Sequence, residues 1–83
     1  MKVDVRYFAS VREALGARES IEVATRSSVG EVRDALIARD AAHAQALARG
    51  KALRIALDQV LCDEATIVEE GSELAFFPPV TGG

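Results

Sequence analysis

Polar and apolar residues alternate along several short stretches of the chain, which is the pattern of β-strands with one buried face. In the first stretch Val3, Val5 and Tyr7 share one face, and charged residues occupy most of the other. Phe8 is the exception, an aromatic side chain on the otherwise charged face at the end of that strand. The pattern predicts five strands: Lys2–Ala9, Glu19–Ala24, Ala52–Leu57, Val60–Cys62 and Glu73–Phe77.

Between the second and third strands the apolar spacing becomes that of a helix. Ser28 and Glu31 have the spacing of a capping box, which marks the start of the main helix. One apolar stripe then follows at i, i+3 and i+7, and it is expected to face the sheet; it consists of Val29, Val32 and Leu36. Arg33 and Asp34 are predicted to lie on the polar side of this helix.

Two shorter helical pieces are also predicted. Ser10 and Glu13 have the capping-box spacing as well, so a single helical turn should connect the first two strands, closed by Gly16. The alanine-rich stretch Ala38–Arg49 predicts a second, shorter helix that ends at Gly50. The first two strands are then most simply an antiparallel hairpin with a long connection.

The principal elements therefore follow the order β-β-α-β-β-β, which predicts a two-layer α+β domain with one helix packed on one sheet. No repeat or linker divides the chain, so residues 1–83 are expected to form a single domain. Pro78 and Pro79 end the last strand because neither can donate a ladder hydrogen bond. Two prolines also favour an extended backbone, so residues 78–83 are predicted to be a flexible tail that points away from the domain.

Composition and charge restrict the classes of function. With 83 residues the chain is too short for a two-domain enzyme, and its net charge of −3 with scattered arginines argues against nucleic-acid binding. The single Cys62 excludes an internal disulfide and a cysteine-based zinc site, and no spacing elsewhere suggests metal ligands. Apolar runs are too short for a membrane span and there is no signal-peptide core, so the cytoplasm is the expected compartment.

The last residues carry the most specific functional signal. Gly82 and Gly83 lack side chains, so they can pass through a narrow channel and adopt whatever backbone angles a partner requires. The carbonyl of Gly83 is also open to attack once its carboxylate has been converted to a better leaving derivative. A functionless frayed end is the alternative interpretation of the same residues.

The last eight residues, Phe76–Gly83, resemble the end of the small, sulfur-carrying subunits of molybdopterin synthase. Tyr7–Glu13, Ala56–Gln59 and Gly71–Ala75 are similar to that family too, so the resemblance covers almost the whole chain. Asp58 departs from it, because the family often has Asn before the Gln, although both suit a turn. The resemblance implies a ubiquitin-like β-grasp fold, with a mixed sheet packed on one main helix.

The resemblance also implies a carrier rather than an enzyme. An ATP-using adenylyltransferase, similar to ubiquitin-activating enzymes, would adenylate the Gly83 carboxylate, and sulfur would then replace AMP to give a thiocarboxylate. The large synthase subunit would hold the catalytic residues and use this sulfur to build the dithiolene of molybdopterin from cyclic pyranopterin monophosphate. A heterotetramer with two large subunits is implied, with no metal and no cofactor bound by this chain.

Six residues besides the two glycines are predicted to contact partners. Phe8 and Phe77 interrupt the polar faces of their strands; if the first and last strands are neighbours, as in a β-grasp, they form an apolar patch with Leu61 beside the tail. Ordinary packing is the alternative. Arg12 is expected near the same place, where it would steer the tail or meet an acidic patch of a partner; a plain surface arginine is the alternative. Val80 and Thr81 are predicted to be held in the partner's channel.

Cys62 and His43 could suggest catalysis, but neither has a partner in the sequence that would activate it. An inert buried thiol and a solvated helix histidine are the predictions. Two other functions stay open: a sulfur carrier for thiazole synthesis or a ubiquitin-like protein tag, and a binding module in which the two glycines are incidental. The approach Phe76–Pro79 favours the molybdopterin carrier, because thiazole carriers are usually shorter and lack it.

Overall fold

The structure, a computed structural model, describes residues 1–79 and contains one mixed five-stranded sheet. The strands are β1 (Lys2–Tyr7), β2 (Arg18–Glu22), β3 (Arg54–Leu57), β4 (Val60–Cys62) and β5 (Glu73–Phe77). Their order across the sheet is β2-β1-β5-β3-β4. β1 and β5 are parallel neighbours, whereas every other pair is antiparallel. The predicted hairpin of the first two strands is therefore confirmed.

Three helices connect the strands: α1 (Ala9–Leu15), α2 (Val29–Ile37) and α3 (Ala41–Ala46). The capping box predicted for α2 is confirmed, because the Ser28 side chain accepts the Glu31 N–H and the Glu31 side chain accepts the Ser28 N–H. The box predicted at Ser10 is wrong. The helix α1 begins one residue before Ser10, and its N-cap, Phe8, makes no side-chain cap hydrogen bond.

The buried face of the sheet and the apolar stripe of α2 form one core. Val3, Val5 and Tyr7 of β1 are buried with Leu74 and Phe76 of β5, as the alternation predicted. The rings of Tyr7 and Phe76 stack with their centroids 6.3 Å apart. The α2 stripe predicted from the sequence is also confirmed: Val29, Val32 and Leu36 are all fully buried.

Arg33 is not on the polar side of α2, and that prediction is wrong: only 3% of the residue is exposed. Its Nε donates to the Leu47 carbonyl at 2.8 Å and its Nη2 to the Ala48 carbonyl at 3.1 Å. A helix leaves the carbonyls of its last turn without intrahelical partners, and here the guanidinium supplies the donors at the end of α3. Its Nη1 also contacts Glu64 at 3.1 Å. One buried side chain thus joins α2, α3 and the segment before β5.

The segment 63–68, predicted to be irregular, is fastened to the start of α2 by backbone hydrogen bonds. The N–H groups of Val29 and Gly30 donate to the carbonyls of Thr66 and Glu64 at 2.8 and 2.9 Å. At Gly30 this approach is so close that a Cβ would stand 2.9 Å from the Glu64 Oε1. A larger residue at this position would require the Glu64 side chain to shift.

The turn between β3 and β4 confirms the prediction for Asp58 and Gln59. Their φ angles are 49° and 70°, and positive values at both central residues are typical of type I′ hairpin turns. The Asp58 carboxylate accepts the Glu73 N–H at 2.9 Å, and the Asp58 N–H donates to the Glu73 carbonyl at 2.8 Å. The turn is thereby held against the first residue of β5, the strand that leads toward the tail.

Candidate functional site

The site begins where β1 and β5 end side by side on the face of the sheet opposite the helices. The chain leaves the sheet after Tyr7, and the Phe8 N–H donates to the Phe76 carbonyl at 3.3 Å. This contact brings the rings of Phe8 and Phe77 together, edge to face, with centroids 6.5 Å apart. Phe8 is 38% exposed and Phe77 half-buried. The structure therefore places the two predicted aromatic residues in one patch.

Leu61 lies on the same face of the sheet, two strands away from Phe77. Because Leu61 pairs with Ala56 and Ala56 pairs with Ala75, small side chains separate Leu61 from the centre of the sheet. A groove of about 260 Å³ results, lined by Arg54, Leu61, Phe77 and Pro79. Leu61 is 59% exposed. We call the surface formed by Phe8, Leu61 and Phe77 the aromatic patch.

Arginines that the sequence analysis did not select border this patch. The Cζ of Arg6 lies 5.3 Å from the centroid of the Phe8 ring, in cation–π range. Arg54 is the register partner of Phe77 on β3. Strand alternation already put Arg6 on the face of Phe8, but the position of Arg54 depends on which strands pair. Pairing between distant segments is not encoded in local alternation.

Arg12 is exposed in the last turn of α1, and its backbone N–H donates to the Phe8 carbonyl at 3.3 Å. It is therefore one helical turn from the aromatic patch. The other predicted contact residues, Val80 and Thr81, and the proposed reactive residues, Gly82 and Gly83, lie outside the described residues. Pro79, the last described residue, is exposed at the edge of the groove.

Cys62 and His43 do not belong to the aromatic patch: Cys62 follows Leu61 but pairs with Ile55 on the core side of the sheet, and His43 is on α3. Cys62 is half-buried, and burial raises the pKa of its thiol, which keeps it protonated and unreactive. His43 is buried, so the prediction of a solvated residue is wrong. Its ring is held between Glu19 and Asp40, at 2.7 Å from Glu19 Oε2 and 2.8 Å from Asp40 Oδ1. It connects α3 to β2 and has a structural role.

No cluster of three or more histidine, cysteine or acidic side chains within residues 1–79 could hold a metal ion. None of the described helices is long and apolar enough to cross a membrane.

Comparison with known proteins identifies the family. The model of the ThiS family matches residues 5–83. The chain belongs to the ThiS family. A curated relative, the molybdopterin synthase sulfur carrier subunit of Haemophilus influenzae, is 39% identical to it over 98% of this chain and 99% of the relative. The predicted resemblance to the small subunits of molybdopterin synthase is thereby confirmed.

Solved structures agree with the fold of this ThiS-family chain. SAMP1 of Haloferax volcanii, a small archaeal modifier protein, is 26% identical with a TM-score of 0.80 and full coverage of both chains. The complex of subunits 1 and 2 of molybdopterin-converting factor from Helicobacter pylori includes a chain that is 27% identical, with a TM-score of 0.71 and full coverage of both chains. The predicted ubiquitin-like β-grasp is confirmed.

Proposed function

We propose that this ThiS-family chain is the sulfur carrier subunit of a molybdopterin synthase. The observation that carries the proposal is the similarity to the Haemophilus influenzae sulfur carrier subunit over nearly the full length of both chains. A β-grasp domain with an aromatic patch at the C-terminal end of β5 agrees with it, because a partner that docks there is positioned to receive the residues that follow. The same likeness supports a carrier role rather than an enzymatic one.

The reactive group of the proposal is the carboxylate of Gly83. An adenylyltransferase would use ATP to form an acyl-adenylate on Gly83, releasing pyrophosphate, and a sulfur nucleophile would then displace AMP to leave a thiocarboxylate. Four residues beyond Pro79 can reach roughly 13–14 Å when extended. Tethering at the aromatic patch would raise the effective concentration of this sulfur in the partner's site. We therefore assign residues 1–77 to the folded domain and 78–83 to the tail.

The partners follow from the same assignment. The Helicobacter pylori complex of subunits 1 and 2 supports docking on a large synthase subunit. We propose that Phe8, Leu61 and Phe77 contact this subunit, with Arg12 beside them, and that Val80 and Thr81 enter its channel ahead of Gly82 and Gly83. The large subunit would hold the catalytic residues and cyclic pyranopterin monophosphate, and a tetramer of two chains of each kind would assemble in the cytoplasm. ATP would be bound by the activating enzyme.

Intact-mass analysis tests this function. The purified chain is incubated with ATP, its activating enzyme and a sulfur donor, and we expect a mass gain equal to the exchange of one oxygen for sulfur. A variant lacking Gly83 should show no gain while keeping the thermal unfolding midpoint of the wild type, because the deletion lies beyond the sheet and core. No gain in the wild-type chain with an enzyme of demonstrated activity would overturn the proposal.

A ubiquitin-like tag is the second candidate, favoured by the similarity to the Haloferax volcanii modifier protein. Tag activity would join Gly83 to lysine amines of other proteins, which appear in mass spectra as lysines bearing the carrier's C-terminal residues. Thiocarboxylate formation without such conjugates supports the synthase carrier alone. Conjugates without transfer of sulfur to a pterin would support the tag instead.

A further inference from the structure

Two arginines lie directly opposite each other on the exposed face of the sheet. Arg6 of β1 and Arg18 of β2 are register partners, and the residues before and after Arg6, Val5 and Tyr7, point into the core. Arg6 and Arg18 therefore project to the other side, toward solvent. Like charges directly opposite in an antiparallel pair are destabilising. The free chain thus keeps an unfavourable pair on this face, between β1 and the edge strand β2.

Neither guanidinium is well neutralised within residues 1–79. The Arg6 Nη1 is 3.9 Å from Glu73 Oε1, beyond hydrogen-bond distance, and the buried Arg6 Nε has no hydrogen-bond partner among the described residues. Arg18 takes part in none of the ion pairs found in this part of the chain. The Arg6 side chain is only 38% exposed, so water reaches it incompletely. A half-buried guanidinium without a good acceptor favours binding of an added anion.

The arginine pair is continuous with the aromatic patch. Arg6 stacks on Phe8, which contacts Phe77, so a surface that covers the two rings also reaches Arg6. A groove of about 300 Å³ has Arg6 and Arg18 in its lining, together with Asp4, Glu19 and Glu73. Asp4 and Glu73 are register partners along the same face, at the side of the arginines away from the rings. Along β1, the acidic pair Asp4/Glu73 is therefore followed by the two arginines and then by the two aromatic rings.

We propose that a carboxylate side chain of the large synthase subunit docks between Arg6 and Arg18. This inference rests on the proposed function, since it names the chemistry with which that partner would recognise the carrier. A guanidinium presents donors in a fixed fork that matches a carboxylate, and the neighbouring rings would exclude water from the contact. A carboxylate displaced along β1 would be repelled by Asp4 and Glu73. These acidic residues and the arginine pair together would therefore set the position of the partner.

The test compares charge-removing variants of the unmodified carrier for binding to its large subunit. Arg6→Gln/Arg18→Gln should raise the dissociation constant by about tenfold or more at low salt, and this difference should shrink at high salt. Arg18→Gln alone should show a smaller loss. Arg26→Gln is the matched control, because Arg26 is also exposed but lines the surface beside Met1, apart from the aromatic patch. It should bind within about twofold of the wild type.

A second measurement separates this contact from a folding defect. Removing one of two opposed charges should raise the thermal unfolding midpoint of the free carrier, so Arg18→Gln is expected to be more stable alone and weaker in the complex. Binding of the double variant within twofold of the wild type would overturn the inference, as would an equal loss in Arg26→Gln. The inference would also be overturned if the double variant bound the activating enzyme more weakly but bound the large subunit as the wild type does.

Failure of this inference and failure of the proposed function are distinguishable. The binding assay needs no sulfur on Gly83, whereas the mass assay needs no large subunit. A normal mass gain together with unchanged binding by the double variant contradicts only the carboxylate contact. Absence of the mass gain contradicts the carrier function itself.

Discussion

The hydrogen bonds of the buried His43 side chain depend on whether its ring is protonated. Both ring nitrogens face carboxylate oxygens, Nε2 toward Glu19 and Nδ1 toward Asp40. Only the protonated ring can donate from both nitrogens. Burial opposes the charge on His43, but the hydrogen bonds to Glu19 and Asp40 outweigh it, so the pKa of His43 lies above its ordinary value. Tyr7 adds a hydrogen bond to the same Glu19 carboxylate at 2.6 Å.

This arrangement predicts that the protein becomes less stable as the pH rises through the raised pKa of His43. A group whose pKa is higher in the folded state contributes its full stability below the unfolded value, near pH 6.5, and loses it above the folded one. As the pH rises from about 6.5 to above the folded-state pKa of His43, we expect the free energy of unfolding of the wild type to fall by about 1 kcal/mol more than that of His43→Gln. Urea unfolding of both proteins from pH 6 to 9 measures it.

The comparison with His43→Gln removes the contributions of all other titrating groups. Parallel pH profiles of the two proteins would contradict the prediction. Neither Glu19 nor Asp40 could have been assigned to His43 from the sequence, since Glu19 is 24 residues away and Asp40, although three residues away, also caps α3. A solvated histidine was the reasonable expectation for an alanine-rich helix, and the contact of its ring with Glu19 of β2 reverses it.

At the scale of elements, two serines with the same local signal have different roles. Ser28 and Ser10 both precede a glutamate by three residues. Backbone hydrogen bonds from the 63–68 segment hold the start of α2, so Ser28 can cap it. At α1 the Phe8 carbonyl accepts the N–H groups of Val11 and Arg12, which starts the helix earlier and leaves Ser10 inside the first turn. The capping-box spacing predicts a helix near its position but not its first residue.

These two serines form a matched test of capping. Ser28→Ala should lower the free energy of unfolding by about 1 kcal/mol, because the Glu31 N–H loses its acceptor. Ser10→Ala should change it by less than about 0.5 kcal/mol, because the Ser10 side chain caps nothing at α1. Urea unfolding at one pH measures both variants. Equal losses in the two variants would contradict the assignment.

At the scale of the whole molecule, local patterns predicted the elements but not their neighbours. Alternation marked the faces of β1 and β5 correctly, yet nothing local joins segments that are about 70 residues apart in the chain. The parallel pairing of Tyr7 with Phe76 follows from the resemblance to a β-grasp family and is observed in the structure. This single pairing creates the aromatic patch, so the predicted meeting of Phe8 and Phe77 depended on the fold rather than on periodicity.

The orientation of β4 at the edge of the sheet allows the docking surface to be tested with adjacent residues. Leu61 and Val60 are both well exposed, at 59% and 68%. Leu61 lines the groove with Phe77. Val60 pairs with Leu57, whose side chain packs on the core, so Val60 lies on the other face of the sheet from Leu61. The two side chains therefore have similar exposure and opposite directions, and only Leu61 faces the proposed partner.

Leu61→Asp should weaken binding to the large subunit by about tenfold or more, corresponding to roughly 1.4 kcal/mol, because the apolar contact of Leu61 in the groove would be replaced by a carboxylate that loses its water when the partner covers it. Val60→Asp should bind like the wild type. Both side chains are exposed in the free protein, so their unfolding free energies should stay within about 0.5 kcal/mol of the wild type. Calorimetric titration of each variant provides the measurement. Equal weakening by Val60→Asp would mean that the partner covers the edge of β4 rather than the groove, and it would move the docking surface away from the aromatic patch.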